Sequence, residues 1–155
     1  MLKRSPKVSQ KPKDIHIKPI SFVFDYEPTP KGTPKVVFFK GKARTYYHKN
    51  TMQALTDLRA ILTSMNLPLL PKHIPLKVTY IFYRTKGKWL PRYEQLPCRK
   101  PDTENYEKLV SDVLCPILVP DDAQFTYLIG IKRWSPTGQG YIKVTIEEDL
   151  GGEPC

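Results

Sequence analysis

Residues Arg99 to Lys132 read RKPDTENYEKLVSDVLCPILVPDDAQFTYLIGIK. At 100° per residue, Tyr106, Leu109, Val110 and Val113 fall on one side of a helix, and Glu104, Lys108, Ser111 and Asp112 on the other. An amphipathic helix is expected, with Asp102 or Thr103 as its cap and Pro116 bounding its end. Ile117 to Pro120 then brings the chain round to Asp121 and Asp122, and Phe125 to Trp134 alternates as a strand.

Upstream, Ile20 to Tyr26 reads as a first strand, followed by a loop over Pro28 to Lys35 that its prolines and Gly32 keep irregular. Val36 to Phe39 and Arg44 to Tyr47 flank Lys40-Gly41-Lys42 and predict a hairpin with a basic tip. From Asn50 the period changes: Leu55, Leu58, Ile61 and Leu62 recur at helical spacing behind a cap at Asn50 or Thr51, and the helix stops near Asn66 to Pro68. Ile74 to Tyr83 is a strand with Leu76, Val78, Tyr80 and Phe82 on one side. Phe125 to Trp134 and Tyr141 to Glu147, joined by Pro136 to Gly140, are expected to form a β-hairpin. With 155 residues, one core is the default. The expected organisation is a flexible basic arm over 1–19, a domain over 20–147 and a tail over 148–155.

The net charge of +10 is unevenly placed. Met1 to Lys49 holds 12 Lys/Arg against 3 Asp/Glu, a footprint suited to a phosphate backbone. Lys31 and Lys35 lie in the proline loop, and Lys40, Lys42 and Arg44 at the hairpin. A second cationic loop, Arg84 to Lys100, includes Lys86, Lys88, Arg99 and Lys100. Its Trp89 and Tyr93 either anchor the loop on the core, the commoner role, or stack on unpaired bases. Three widely spaced cysteines support neither a disulfide framework nor a zinc knuckle. No apolar run approaches the ~18 residues of a membrane span, so a soluble, cytoplasmic protein is expected. His16, His48 and His73 are scattered, and no Walker loop, Gly-x-Ser-x-Gly elbow or dinucleotide fingerprint occurs.

Acidic residues gather at Asp102, Glu104 and Asp122. Carboxylates brought together repel unless they take up protons or share a cation, and hard oxygen donors favour Mg²⁺ or Mn²⁺. Such a metal orients and acidifies a water, and Lys108, one turn beyond Glu104, is placed to hold a phosphate. The same residues also read as a helix cap, two turn formers and an i,i+4 ion pair, and spacing alone does not choose between the readings.

Together, Asp102, Glu104, Asn105, Lys108, Asp112, Asp121, Asp122, Gln124 and Lys132 resemble the pattern of the RusA family of Holliday junction resolvases, common in phages and prophages. More weakly, the Pro28 to Lys35 loop is similar to that family's proline- and lysine-rich loop. The resemblance implies an α+β fold, a small mixed β-sheet with two main helices packed on it. It implies a homodimer that makes paired nicks in four-way DNA junctions, leaves 5′-phosphates and depends on Mg²⁺ or Mn²⁺. If the chain is phage-encoded, its compartment is the host cytoplasm. Carried over, Asp102, Glu104 and Asp122 are the metal-binding carboxylates and Lys108 the catalytic cation. Asp121, Asp112 and Asn105 support them, and Lys132 contacts DNA or pairs with the acids. Glu104 stands where the family commonly has Asp. Two alternatives share these features: a non-catalytic basic DNA-binding module, and a branch or flap nuclease with the same site.

Overall fold

The computed structural model describes residues 15–153. Its strands are β1 (Ile20–Phe24), β2 (Lys35–Phe39), β3 (Lys42–Tyr46), β4 (Leu76–Arg84), β5 (Phe125–Trp134) and β6 (Tyr141–Glu148). Its helices are α1 (Lys49–Ser64) and α2 (Thr103–Leu114). The expected basic arm lies largely outside the described residues, as does Cys155. No helix among the described residues is long and apolar enough to cross a membrane.

The α+β architecture is as expected: a mixed four-stranded sheet with two helices on one face, and a separate two-stranded hairpin. The alternation of β4 explains its place at the centre. Leu76, Val78, Tyr80 and Phe82 are buried, as are Ile142, Val144 and Ile146 of β6, and both rows face the helices. From above, α1 contributes Ala54, Leu55, Leu58 and Leu62, and α2 contributes Tyr106, Leu109, Val110, Val113 and Leu114. Each fully buried large apolar side chain contributes about 1.5–3 kcal/mol. The apolar faces read from the two helical spacings are therefore what holds the layers together.

One pairing differs from expectation. β5 and β6 are not a hairpin, because β4 lies between them in the order β1-β6-β4-β5. β5 runs parallel to β4, with Tyr80 opposite Gly130, while β6 runs antiparallel to β4, with Tyr80 opposite Val144. The Ser135 to Gly140 connection is long enough to step over one strand, about 10 Å. Turn residues show where a chain reverses and not which strand it then pairs with. The gain is a central position for β4, the strand with the most apolar inner row. As a result β4-α2-β5 is a crossover unit, with α2 suspended between parallel strands.

The caps also differ. His48, rather than Asn50 or Thr51, caps α1, its Nδ1 accepting from the Asn50 amide at 3.2 Å. Thr51 is buried, and its hydroxyl accepts from the Gly32 amide at 3.1 Å, tying the proline loop to α1. α1 ends where expected: Asn66 takes a φ of +52°, a left-handed residue that stops the helix just before Pro68.

Candidate active site

The turn after α2 is held by its own polar groups. Asp121 accepts from the Ala123 amide at 2.9 Å, capping a single 3-10 turn over Asp122–Gln124. Gln124 is buried and donates to the carbonyls of Pro71 and Ile74 at 3.0 and 3.1 Å. Asp121 and Gln124 are thus occupied in shaping the turn, and the exposed Asp122 carboxylate has neither of those tasks. Asp102 occupies the N-cap position of α2 but makes no side-chain cap bond, so its carboxylate is not consumed by helix initiation.

Glu104, Lys108, Asp112 and Asp122 line one open cleft along the polar side of α2, together with Lys31, Glu107, Ser111, Phe125 and Leu128. Its volume is about 420 Å³, room for a hydrated cation and a phosphate group, given roughly 30 Å³ per water. A larger cleft of about 510 Å³ lies on the other side of the turn. Its only acidic lining residue is Asp121, already engaged as the cap, whereas the smaller cleft gathers the expected Glu104, Lys108 and Asp122.

Within the smaller cleft each cation has an acid beside it. Lys108 pairs with Glu104 at 2.8 Å across one helical turn, both side chains largely exposed, and Lys31 pairs with Asp112 at 2.6 Å. Burial raises the Glu107 carboxyl above its usual range, and Glu104 adds to the effect. Glu107 was missed by the sequence reading, and the signal that marks it is Gly130. A Cβ there would collide with the Glu107 carboxylate and lie 2.8 Å from Thr103 Cγ2, so the glycine leaves room for the Glu107 side chain to lie over β5. Cys115, at the end of α2, is pushed up to about 11 by burial first and then by Asp122, Asp121 and Asp112, which keeps its thiol protonated. The turn therefore brings Asp122 to the middle and end of α2. Asp102, at the start of the helix, is not among the cleft's lining residues.

The family profile described as Endodeoxyribonuclease RusA matches residues 25–147, which include every one of these side chains. The chain belongs to the RusA endodeoxyribonuclease family. No curated relative matches it. Membership of the RusA family implies a Holliday junction resolvase endonuclease, with a DNA junction as its substrate.

Against the RusA pattern, the cations singled out in the sequence divide into two groups. Lys35, Lys40, Lys42 and Arg44 are exposed on the hairpin, and Lys88 is exposed on the second loop. The others have partners within the chain. Lys86 donates to the Glu94 carbonyl at 2.8 Å, Arg99 pairs with Glu94 at 2.7 Å, and Lys100 lies 3.7 Å from Asp102. Lys132 donates to the carbonyls of Arg99 and Pro101 at 3.1 and 3.0 Å, holding the chain just before Asp102. Burial lowers its pKa, Arg84 adds to that, and Asp102 opposes it. Trp89 and Tyr93 do not anchor the second loop on the core: they are 77% and 81% exposed.

The donor set suits the metal that the RusA family implies, because the cleft offers carboxylate oxygens and no thiolate or imidazole. Mg²⁺ keeps several waters and needs only one or two carboxylates, and Glu104 and Asp122 supply two from a shared cleft. Among the described residues no three His, Cys, Asp or Glu side chains stand close enough together to hold an ion, so the expected trio of Asp102, Glu104 and Asp122 is not assembled, and Glu104 and Asp112 are paired with Lys108 and Lys31.

Proposed function

We propose that the chain is a metal-dependent, structure-selective endonuclease that resolves four-way DNA junctions by paired symmetric nicks, acting as a homodimer. The observation that carries this reading is the cleft in which Glu104, Lys108 and Asp122 meet. Asp122 comes from a turn whose other polar side chains are spent on shaping it, in a chain of the RusA endodeoxyribonuclease family.

Hydrolysis to a 5′-phosphate adds a water oxygen to phosphorus and breaks the bond to the 3′ oxygen, which leaves with a proton. Glu104 and Asp122 would hold Mg²⁺ or Mn²⁺ from the cleft they share, whereas Asp102, outside that cleft, would not reach the ion. That ion would supply an acidified water and charge for the departing oxygen. Glu104 and Asp122 also orient the attacking water through their free oxygens. Lys108 exchanges its Glu104 partner for the scissile phosphate, and its exposed ammonium loses little in that exchange, because an exposed i,i+4 pair contributes only about 0.3–0.5 kcal/mol. Lys132 fixes the backbone that presents Asp102, and Asp112 keeps Lys31 in the wall of the cleft. Two incisions on a two-fold junction require two such clefts, the physical motive for a dimer.

A titration of Mn²⁺ into the protein, followed by calorimetry, separates this reading from a non-catalytic DNA-binding module. Saturable heat is expected for the wild type, and its loss in Glu104→Gln combined with Asp122→Asn. Identical isotherms for the two proteins would favour the binding module.

A further inference from the structure

The loop that leads from β4 to the start of α2 contains two consecutive hydrogen-bonded turns. The Leu90 amide donates to the Gly87 carbonyl at 3.1 Å, and the Glu94 amide to the Pro91 carbonyl at 3.1 Å. The turns therefore read Gly87-Lys88-Trp89-Leu90 and Pro91-Arg92-Tyr93-Glu94, each with a cation at its second position and an aromatic ring at its third. All four of these residues are exposed. One device, a cation beside a bared ring, is presented twice.

The two turns are held in place from below. The Glu94 carbonyl, which ends the second turn, accepts from Lys86 Nζ at 2.8 Å and from Trp134 Nε1 at 3.1 Å. Its carboxylate pairs with Arg99 at 2.7 Å, so the one acid of the loop is already neutralised. The Trp89 indole lies against Gly87, where a Cβ would come within 2.7 Å of Nε1, and the Arg99 guanidinium stands 6.0 Å from the ring. Lys132 then holds the Arg99 and Pro101 carbonyls, which fixes where the loop enters α2. Lys88 and Arg92, by contrast, make no ion pair among the described residues.

A ligand that satisfies both halves of this device is anionic and flat at once, as a nucleotide is. An acidic peptide would meet the cations and leave the rings in water. In a duplex, however, each base face is covered by its neighbour in the stack, and a ring finds nothing to meet. A branch point interrupts the stack and bares base faces. We infer that Trp89 and Tyr93 form a platform that stacks on the bases bared at a DNA branch point, with Lys88 and Arg92 on the adjoining phosphates. Such stacking tolerates any sequence, since every base has a π-face, but it distinguishes branched DNA from duplex. The inference rests on the junction nuclease proposed above and names the element that makes it selective for structure.

Fluorescence anisotropy with a labelled four-way junction and with a duplex of the same arm sequence tests it, in Ca²⁺ so that binding is read without cleavage. Trp89→Ala and Tyr93→Ala are each expected to weaken junction binding by about fivefold to a hundredfold, the usual effect of losing one stacked base, and to leave duplex binding unchanged. Trp89→Phe should restore most of the junction affinity, because it keeps an aromatic face. With abasic nucleotides at the branch point, the difference between wild type and Trp89→Ala should close, as in a double-mutant cycle across the contact. Both rings are exposed, so the thermal midpoints should stay near that of the wild type. Full junction affinity in the double alanine variant, an equal loss on junction and duplex, or a difference that survives the abasic substitution would overturn the platform. Cleavage in Mg²⁺, scored separately, keeps the two proposals apart. Junction nicking by a double alanine variant of full affinity leaves the nuclease standing without the platform. Junction-selective binding that needs both rings, in a wild type that cuts nothing, leaves the platform standing without the nuclease.

Discussion

Asp122→Asn is expected to slow junction cleavage by about a hundredfold to a thousandfold, the size of effect seen when one preorganised electrostatic group is removed from a reacting centre. Junction affinity should be unchanged or slightly tighter, because an acidic group facing phosphates is lost. Asp122 is exposed and takes no part in capping the turn, so the thermal midpoint should stay close to that of the wild type. Its neighbour is the control. Asp121→Ala removes the bond to the Ala123 amide and should cost about 1 kcal/mol of stability, the usual worth of a cap. Any loss of cleavage there follows from displacement of Asp122, and calcium-supported junction binding should persist. Equal cleavage by Asp122→Asn and wild type would remove Asp122 from the chemistry.

The second large effect lies in the core beneath the site. Phe82→Ala is expected to destabilise the fold by about 3–5 kcal/mol. At this chain length, each kcal/mol lowers the midpoint by about 2–4 °C. Phe82 is fully buried on β4, with its ring centroid 5.7 Å from Tyr80 and 5.2 Å from Tyr106 of α2. Removing it opens a cavity directly under the helix that carries Glu104 and Lys108. Cleavage should therefore fall along with stability. Denaturant unfolding followed by circular dichroism measures it, and a loss below about 1 kcal/mol would mean that α2 is seated by other contacts.

Much of the fold was legible because burial follows simple periods. Tyr106, Leu109, Val110 and Val113 were picked out by helical angle, and Leu76, Val78, Tyr80 and Phe82 by alternation, and all are buried. The β2-β3 hairpin and its basic tip at Lys40-Gly41-Lys42 were readable as well, though not the type of its turn. Strand partnership was not. Alternation says which residues face inward but carries no information about the neighbouring strand, so the placement of β4 between β5 and β6 had to come from the structure. For the same reason, the role of Gly130 became visible only once β5 was known to lie under α2.

The candidate site was legible in its residue types and less so in their partners. Asp102, Glu104 and Asp122 stand out in sequence because acids are outnumbered by cations in a chain of net charge +10, and Lys108 because it follows Glu104 by one helical turn. Which of the basic residues face DNA is a tertiary question. Lys31, Lys86, Arg99 and Lys132 look the same as Lys40 or Lys42 in sequence, yet they are drawn into ion pairs or bonds to carbonyls.

The central claim is that the α2 cleft hydrolyses branched DNA, and the measurement closest to it is nick mapping on a synthetic four-way junction and on a duplex of the same arm sequence. With Mg²⁺ or Mn²⁺, symmetric nicks are expected in two strands of like polarity at the junction, with ligatable ends. The duplex should remain intact, and chelation should stop all cleavage. Cleavage of the duplex at the rate of the junction, or cleavage that persists in chelator, would contradict the account.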